Sequence, residues 1–331
     1  MHTIAILGIG GYLPGNVLTN EELSRMVDTT DEWIMARTGI KQRHIAARGE
    51  TNTDMGLAAS VKALADAGLT AGDITHVVYA TCTGEYITPS ASCLISHKLG
   101  ISGRYAVDLN AACCGCLFGL VAARGLIAAE PKAKVLLVAA EALSSRTNWH
   151  DRSTCVLFGD GASALVLGAD ENAPRKLATL VDIETASDGS LGPLLHFGGP
   201  RESGYPYALG DPVGEDYFIS MNGRDVFKHA VRNMAAISKQ VLERNHMTIE
   251  DVDILFPHQA NLRIIEAVGN RLGIDPAKVY ITVENTGNTS AASIPLAIED
   301  ARKQGLIRPG TKALCCTFGG GLTWSAALLR F

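Results

Sequence analysis

Short apolar runs recur along the chain and read as buried strands: Ile4-Ala-Ile-Leu7, His76-Val-Val-Tyr-Ala80, Tyr105-Ala-Val-Asp-Leu109, Lys134-Val-Leu-Leu-Val138, Asp253-Ile-Leu-Phe-Pro257, Val279-Tyr-Ile-Thr-Val283 and Lys312-Ala-Leu-Cys-Cys316. They are nearly continuous rather than alternating, the pattern of strands covered on both faces. Helical stretches separate them. Cys114–Ala129 is almost wholly apolar, Gln259–Leu272 follows the strand ending at Pro257, and Arg224–Asn245 gathers Phe227, Val231, Met234, Ile237 and Val241 on one face. Strands alternating with helices predict mainly parallel sheets covered by helices.

The pattern occurs twice. Strand Tyr105–Leu109, the helix after Cys113 and strand Lys134–Val138 have the same order as strand Val279–Val283, the helix after Asn288 and strand Lys312–Cys316. An apolar strand precedes each set, with a helix ending in Lys98-Leu-Gly-Ile101 or Arg271-Leu-Gly-Ile274. A glycine turn follows each, Phe158-Gly-Asp-Gly161 or Phe318-Gly-Gly-Gly321. Matching points lie about half a chain apart, as an internal repeat requires. Two such units packed together predict a five-layer α-β-α-β-α arrangement, with halves 1–174 and 175–331 divided near Pro174. The stretch His196–Asp216, rich in Gly, Pro and Tyr, reads as a long loop, a common place for function. Gly8-Ile-Gly10-Gly11 reads as a turn after the first strand. Leu13 stands where a dinucleotide loop needs its third glycine, so no such site is expected.

Composition narrows the function classes. The 331 residues are 47% hydrophobic and 19% charged, which suits a large core and a buried subunit interface, so a homodimer is expected. The net charge of −5 gives no sign of nucleic-acid binding. No run reaches the roughly 20 apolar residues of a membrane span, and the N-terminus lacks a signal peptide's basic start. Eight cysteines in apolar contexts point to reduced thiols and a cytoplasmic location.

The candidate chemistry is a trio: Cys113 in Asn110-Ala-Ala-Cys113-Cys-Gly-Cys116, His258 in Pro257-His258-Gln-Ala-Asn261, and Asn288 in Asn285-Thr-Gly-Asn288-Thr-Ser-Ala-Ala-Ser293. A thiol at the start of an apolar helix sits where the helix dipole lowers its pKa, which suits attack on a thioester. A His and an Asn can both donate to one carbonyl oxygen and hold an enolate. The competing reading of Cys113 is a buried small hydrophobe, and of Asn288 a helix cap in the turn equivalent to that of Cys113. Cys113-Cys-Gly-Cys116 also fits CxxC, but no second ligand pair follows at a zinc spacing, so no metal is expected. Trp33 and Arg37, one helical turn apart, can stack on an adenine and reach a phosphate. Arg224, Lys228 and Arg232 form a basic stripe, either a solvated face or a dock for an acidic partner.

These segments resemble the β-ketoacyl-acyl carrier protein synthase III family, the initiating condensing enzymes of bacterial fatty-acid synthesis within the thiolase-like superfamily. The resemblance spans the chain and includes Asp31-Glu-Trp33-Ile-Met-Ala-Arg37-Thr-Gly-Ile40, Phe158-Gly-Asp-Gly-Ala162 and Phe318-Gly-Gly-Gly-Leu-Thr-Trp324. It implies the thiolase fold and a coenzyme A thioester as substrate with no cofactor. It also implies acyl transfer to Cys113, with an oxyanion hole from the N–H groups of Cys113 and Gly320. His258 and Asn288 would hold the malonyl carbonyl through decarboxylation. Arg152 would join Trp33 and Arg37 in binding coenzyme A, and Thr88, Phe227 and Phe318 would line the acyl pocket. Carrier-protein contacts would come from Gln259, Ala260, Asn261, Leu262 and Arg263, with Arg224 and Lys228. Two departures stand out. Cys114 and Cys116 replace small or aromatic residues and expose the site to oxidation. Thr88 replaces a Phe, which implies a wider channel for longer or branched primers. The rival readings are a same-fold starter enzyme of a polyketide, quinolone or ester pathway, a cysteine hydrolase, and a catalytically silent subunit.

Overall fold

The protein is described from a computed structural model covering residues 3–173, 175–198 and 217–331. Nine strands form one hydrogen-bonded sheet among the described residues: β1 Ile4–Tyr12, β2 His76–Ala80, β3 Tyr105–Leu109, β4 Val135–Glu141, β5 Gly161–Ala169, β6 Ala178–Ser187, β7 Ile254–Pro257, β8 Lys312–Gly319 and β9 Thr323–Arg330. Their order is β7-β8-β9-β6-β1-β5-β4-β2-β3. Only a short antiparallel pairing, Ile4–Ile6 with Ala178–Leu180, joins its two halves. Within each half the pairing is the same. β1–β5 and β5–β4 are antiparallel while β4–β2 and β2–β3 are parallel. Likewise β6–β9 and β9–β8 are antiparallel, β8–β7 is parallel, and a parallel bridge from Leu255 to Val279 completes the set.

Alternation along the strands sorts the core into three clusters, because successive side chains point to opposite faces. Ala5, Leu7, Val77, Tyr79, Leu136 and Val138 pack outward on helices α2 (Asn52–Ala67) and α3 (Ala91–Leu99). Their neighbours Ile4, Ile6, Val78 and Leu137 face inward, with Ala313 and Cys315 of the other half, onto α4 (Gly115–Ala129) and α7 (Ser293–Lys303). Leu314, Cys316 and Phe318 pack on α5 (Gly223–Arg244) and α6 (Leu262–Leu272). The result is helix, sheet, helix, sheet, helix: the five layers expected, with α4 and α7 shared at the centre. Ala112–Ala129 is long and apolar enough to cross a membrane by length and composition. In the fold it is the central helix, with Leu117, Leu120, Ala123 and Ile127 buried between the sheets.

Three local expectations change, and two others fall outside the described residues. The strand predicted over Val279–Val283 is reduced to the single bridge at Val279. The N–H groups of Thr282 and Val283 donate instead to Gln259 Oε1, at 2.7 and 3.1 Å, and a short helix begins at Val283. The helix predicted from Gln259 starts at Leu262, because Asn261 caps it by accepting from Arg263 N at 2.9 Å. The boundary residue Pro174 and most of the predicted loop, residues 199–216, lie outside the described residues.

Finally, Gly8 and Gly10 are not a turn but lie inside β1. A Cβ on Gly8 would sit 2.4 Å from Ala63 O, and one on Gly10 would sit 2.3 Å from Ala59 O and 2.5 Å from Ala63 N. These glycines let the α2 backbone rest directly on the strand. The substitution Gly10→Ala must therefore push α2 off the sheet. It should cost about 1–3 kcal/mol, read as a lower urea midpoint; an unchanged midpoint would contradict the close approach.

Candidate active site

The nucleophile candidate lies on a turn that occurs twice. Ala112–Cys114 and Ser290–Ala292 are 3₁₀ turns that lead into α4 and α7. Each opens on a non-glycine residue with positive φ, Ala112 at 46° and Ser290 at 51°. Such a conformation costs on the order of 1–3 kcal/mol and persists only where its surroundings impose it. In each turn an Asn two residues earlier accepts from the strained residue's N–H: Asn110 Oδ1 from Ala112 N at 3.2 Å, Asn288 Oδ1 from Ser290 N at 2.9 Å. The equivalent of Asn288 is thus Asn110, and that of Cys113 is Ala291. Asn288 thus lies in the turn equivalent to that of Cys113, as the sequence predicts, three residues before the position that matches the thiol. The two turns pack on each other: a Cβ on Gly115 would come within 3.1 Å of Ala291 Cβ.

The C-terminal half also grips the first turn. Thr317 Oγ1 donates to Cys113 O at 3.0 Å and Thr323 Oγ1 to Ala111 O at 3.2 Å. A Cβ on Gly319 would lie 2.8 Å from Cys113 N, so the end of β8 lies against the backbone of Cys113. Asn288 is fixed by its own backbone, which donates to Leu157 O at 2.9 Å and accepts from Gly159 N at 3.0 Å. His258 follows β7; its N–H donates to Cys316 O at 2.8 Å, and its Nδ1 lies 2.8 Å from Ser293 Oγ.

Cys113, with Phe158 and Leu195, forms the common wall of two cavities. One, of about 520 Å³, is also lined by His258, Asn288, Phe318, Phe227 and Trp33. The other, of about 700 Å³, lies beyond Cys113 and is lined in part by Ile87, Leu143, Ile219, Ser290 and Gly320. The three residues predicted for an acyl pocket are therefore separated. Phe227 and Phe318 line the smaller cavity. Thr88 is exposed and lines neither, while its neighbour Ile87 is fully exposed, at 104%, on the wall of the larger one.

At the mouth of the smaller cavity, α1 (Asp31–Thr38) carries Trp33 and Arg37. Thr30 caps this helix by accepting from Trp33 N at 3.1 Å. The guanidinium groups of Arg37 and Arg152 lie 4.3 and 4.8 Å from the Trp33 ring centroid, and Arg152 also donates to Asp28 O. Exposed Arg224, Lys228 and Arg263 line the same cavity. The predicted docking run 259–263 is split. Gln259 is fully buried and bonded to Pro257 O and Tyr280 O, so it cannot meet a carrier. Leu262 packs beneath Gly39. Ala260 and Asn261 line the cavity, and Asn261 Nδ2 donates to Arg37 O at 3.0 Å.

Burial sets the protonation states. It pushes the Cys113 thiol up to about 12; a hydrogen bond with Ser290 pulls it down, and the Glu141 charge pushes it up again. The expected lowering by the helix N-terminus is outweighed, so the resting group is a thiol. Cys114 and Cys116 are buried and likewise pushed up to about 12. They are core side chains rather than the oxidation-prone thiols expected. No cluster of His, Cys, Asp and Glu able to hold a metal occurs among the described residues. Sequence reasoning missed Glu141, Ser290 and Ser293. Aligning Asn288-Thr-Ser290 on Asn110-Ala-Ala112 was the signal that points to Ser290.

Burial also pushes His258 down to about 4, so it is neutral near pH 7. An unfolded His titrates near 6.5, so the unfolded chain binds the extra proton first as pH falls. The native state should lose about 3 kcal/mol between about pH 6.5 and 4 relative to a His258→Gln variant. Urea titrations of both proteins across that window check this; parallel curves would contradict it.

Two family models match the chain. That described as 3-oxoacyl-[acyl-carrier-protein] synthase III matches residues 107–189, and that for the C-terminal part of the same enzyme matches residues 242–331. A β-ketoacyl-[acyl-carrier-protein] synthase III of Nitratidesulfovibrio vulgaris is 58% identical over 98% of this chain and 98% of its own. The crystal structure of 3-oxoacyl-[acyl-carrier-protein] synthase III from Aquifex aeolicus is 42% identical, with a TM-score of 0.90 over 99% of this chain and 100% of its own. A priming β-ketosynthase of the R1128 polyketide pathway is 35% identical, with a TM-score of 0.90 over 100% of this chain and 96% of its own. With its duplicated thiolase fold and its cysteine held between two cavities, the chain belongs to the β-ketoacyl-acyl carrier protein synthase III family of acyl-condensing enzymes.

Proposed function

We propose that the protein initiates fatty-acid synthesis by condensing an acyl-coenzyme A primer with malonyl-acyl carrier protein. The observation that carries this reading is the position of Cys113 between two cavities, with His258 and Asn288 on the smaller one alone. A thioester enters past Trp33, Arg37 and Arg152, whose aromatic and cationic groups suit an adenine and its phosphates. Cys113 Sγ attacks the thioester carbonyl, the N–H groups of Cys113 and Gly320 hold the oxyanion, and coenzyme A is expelled. The acyl chain extends into the larger cavity. The smaller cavity is then free for the malonyl thioester.

The polar partners of His258 and Asn288 suit them as donors to that second substrate. Asn288 spends its amide oxygen on Ser290 N, which turns its NH2 to other partners. Ser293 Oγ accepts from Gln259 N at 3.5 Å, leaving its own proton for His258 Nδ1, so the ring proton falls on Nε2. Two neutral donors hold the carbonyl oxygen as the carboxylate departs as CO2. The carbanion attacks the acyl-Cys113 carbonyl, a carbon–carbon bond forms, and the Cys113 thiolate leaves. No strong base is required.

Exposed Arg224, Lys228 and Arg263 give an acidic carrier protein a basic rim on a chain of net charge −5. Exposed Tyr86 and Ile87 beside the larger cavity favour a homodimer in which one subunit's loop closes the partner's acyl channel. Thr88, smaller than the Phe of short-primer members, would widen that channel. The halves 1–174 and 175–331 would then supply the nucleophile and the donor pair respectively. The likeness to a polyketide priming β-ketosynthase supports a second reading, in which the same chemistry starts a polyketide.

Intact-protein mass spectrometry tests this. Acyl-coenzyme A should add one acyl mass, and the Cys113→Ala variant none. Malonyl-acyl carrier protein should discharge the adduct with CO2 release to a β-ketoacyl carrier product. The variants His258→Ala and Asn288→Ala should still take the acyl group but discharge it roughly 10²–10³-fold more slowly. Discharge to free acid without malonyl-carrier protein would instead identify a hydrolase. Acetyl-, isobutyryl- and octanoyl-coenzyme A compared as primers test Thr88; strict acetyl preference would sink the wide-channel reading.

A further inference from the structure

Glu141 is a fully buried carboxyl group at the end of β4, and the reaction above gives it no part. Five donors converge on it. Thr83 Oγ1 donates at 2.5 Å, Thr81 Oγ1 at 3.2 Å, and Cys82 through its N–H at 3.2 Å and its Sγ at 3.2 Å. The fifth is Ser290 Oγ, which crosses from the other half of the fold and donates to Oε1 at 3.2 Å. No ion pair reaches Glu141 among the described residues. A carboxylate held only by neutral donors in a dry core is a costly charge, and its pKa is raised by that burial. The titratable groups facing it are Tyr79, Cys82 and Cys113, each made harder to ionise by burial.

Ser290 is the first residue of the second turn, and its hydroxyl also meets the Cys113 thiol. The hydroxyl donates to Glu141 while the sulfur keeps its proton, and it can donate to the sulfur once a thiolate forms, which is the interaction that pulls the thiol's pKa down. We infer that Ser290 and Glu141 carry the Cys113 proton away when the thiol attacks: the hydroxyl passes its proton to the carboxylate and takes the one from sulfur. This rests on the synthase reading above for its place in the cycle. The S–H bond breaks as the S–C bond to the acyl carbonyl forms, and Glu141 becomes a carboxylic acid. Coenzyme A leaves as a thiolate and takes its proton from solvent. When condensation later expels the Cys113 thiolate, the proton returns through Ser290. The thiol and carboxyl thus never hold more than one negative charge between them. The alternative base, His258, holds its proton too weakly to serve near neutral pH. Glu141 acts through Ser290 and is a positioning residue.

The test is alkylation of Cys113 by iodoacetamide between pH 6 and 9.5, followed by intact mass in the wild type and in Ser290→Ala and Glu141→Gln variants. Ala112 already occupies the matching turn position at φ 46°, so alanine fits at 290. The relay predicts that both variants are alkylated roughly tenfold or more slowly near pH 7, with profiles displaced to higher pH. If Glu141 acted only as a nearby charge, Glu141→Gln would speed alkylation and displace its profile to lower pH; that result, or a Ser290→Ala profile matching the wild type, overturns the relay. Should Glu141→Gln fail to fold, Ser290→Ala decides alone. Alkylation needs no coenzyme A thioester, so a wild type that alkylates with the predicted profiles but accepts no acyl group keeps the relay and removes the synthase reading.

Discussion

The turns Ala112–Cys114 and Ser290–Ala292 meet at the centre of the molecule, where a Cβ on Gly115 would come within 3.1 Å of Ala291 Cβ, and the rest of the site depends on that contact. Each turn opens in a strained backbone conformation, each is held by an Asn side chain, and each leads into one of the two central helices. Duplication of the fold is what brings them together. The sheets face each other across α4 and α7, so the loops before those helices converge on one end of the interface. A nucleophile from one half can then sit beside donors from the other without a long connecting loop.

The convergence also explains how one fold separates two substrates. Cys113 is clamped from the C-terminal half by Thr317, Thr323 and the close approach of Gly319. With Phe158 and Leu195 it separates a cavity opening past Trp33 from one running toward Ile87. His258 and Asn288 face only the first. In the proposed reaction the donor pair would meet the thioester that follows the primer, and the acyl group would lie out of its way. Burial completes the arrangement by keeping the imidazole neutral and the thiol protonated until substrate arrives.

Much of this was legible in the residues. Strands His76–Ala80 and Tyr105–Leu109 were read with their observed bounds, because apolar runs bounded by polar or glycine residues leave little choice. The repeat was visible because both halves keep the same order of apolar runs and glycine turns. What escaped were features set by contacts distant in sequence. Gln259 looked like a surface residue beside Asn261, yet its side chain replaces a strand's hydrogen bonds at Thr282 and Val283. Gly8 and Gly10 looked like a turn because nothing in a local pattern announces a helix resting on a strand. Thiol acidity was misjudged because the helix terminus is a local signal, whereas burial depends on the whole fold. Glu141 stayed hidden since an acidic residue ending a strand ordinarily reaches solvent.

The central claim is that Cys113 divides an acyl chamber from a coenzyme A channel. The most direct test is a crystal structure of the wild-type enzyme trapped with an acyl-coenzyme A primer. The account predicts acyl density continuous with Cys113 Sγ and running toward Ile87, Leu143 and Ile219, with coenzyme A density confined to the side of Trp33, His258 and Asn288. Acyl and coenzyme A density together on the Trp33 side, with the larger chamber empty, would contradict it.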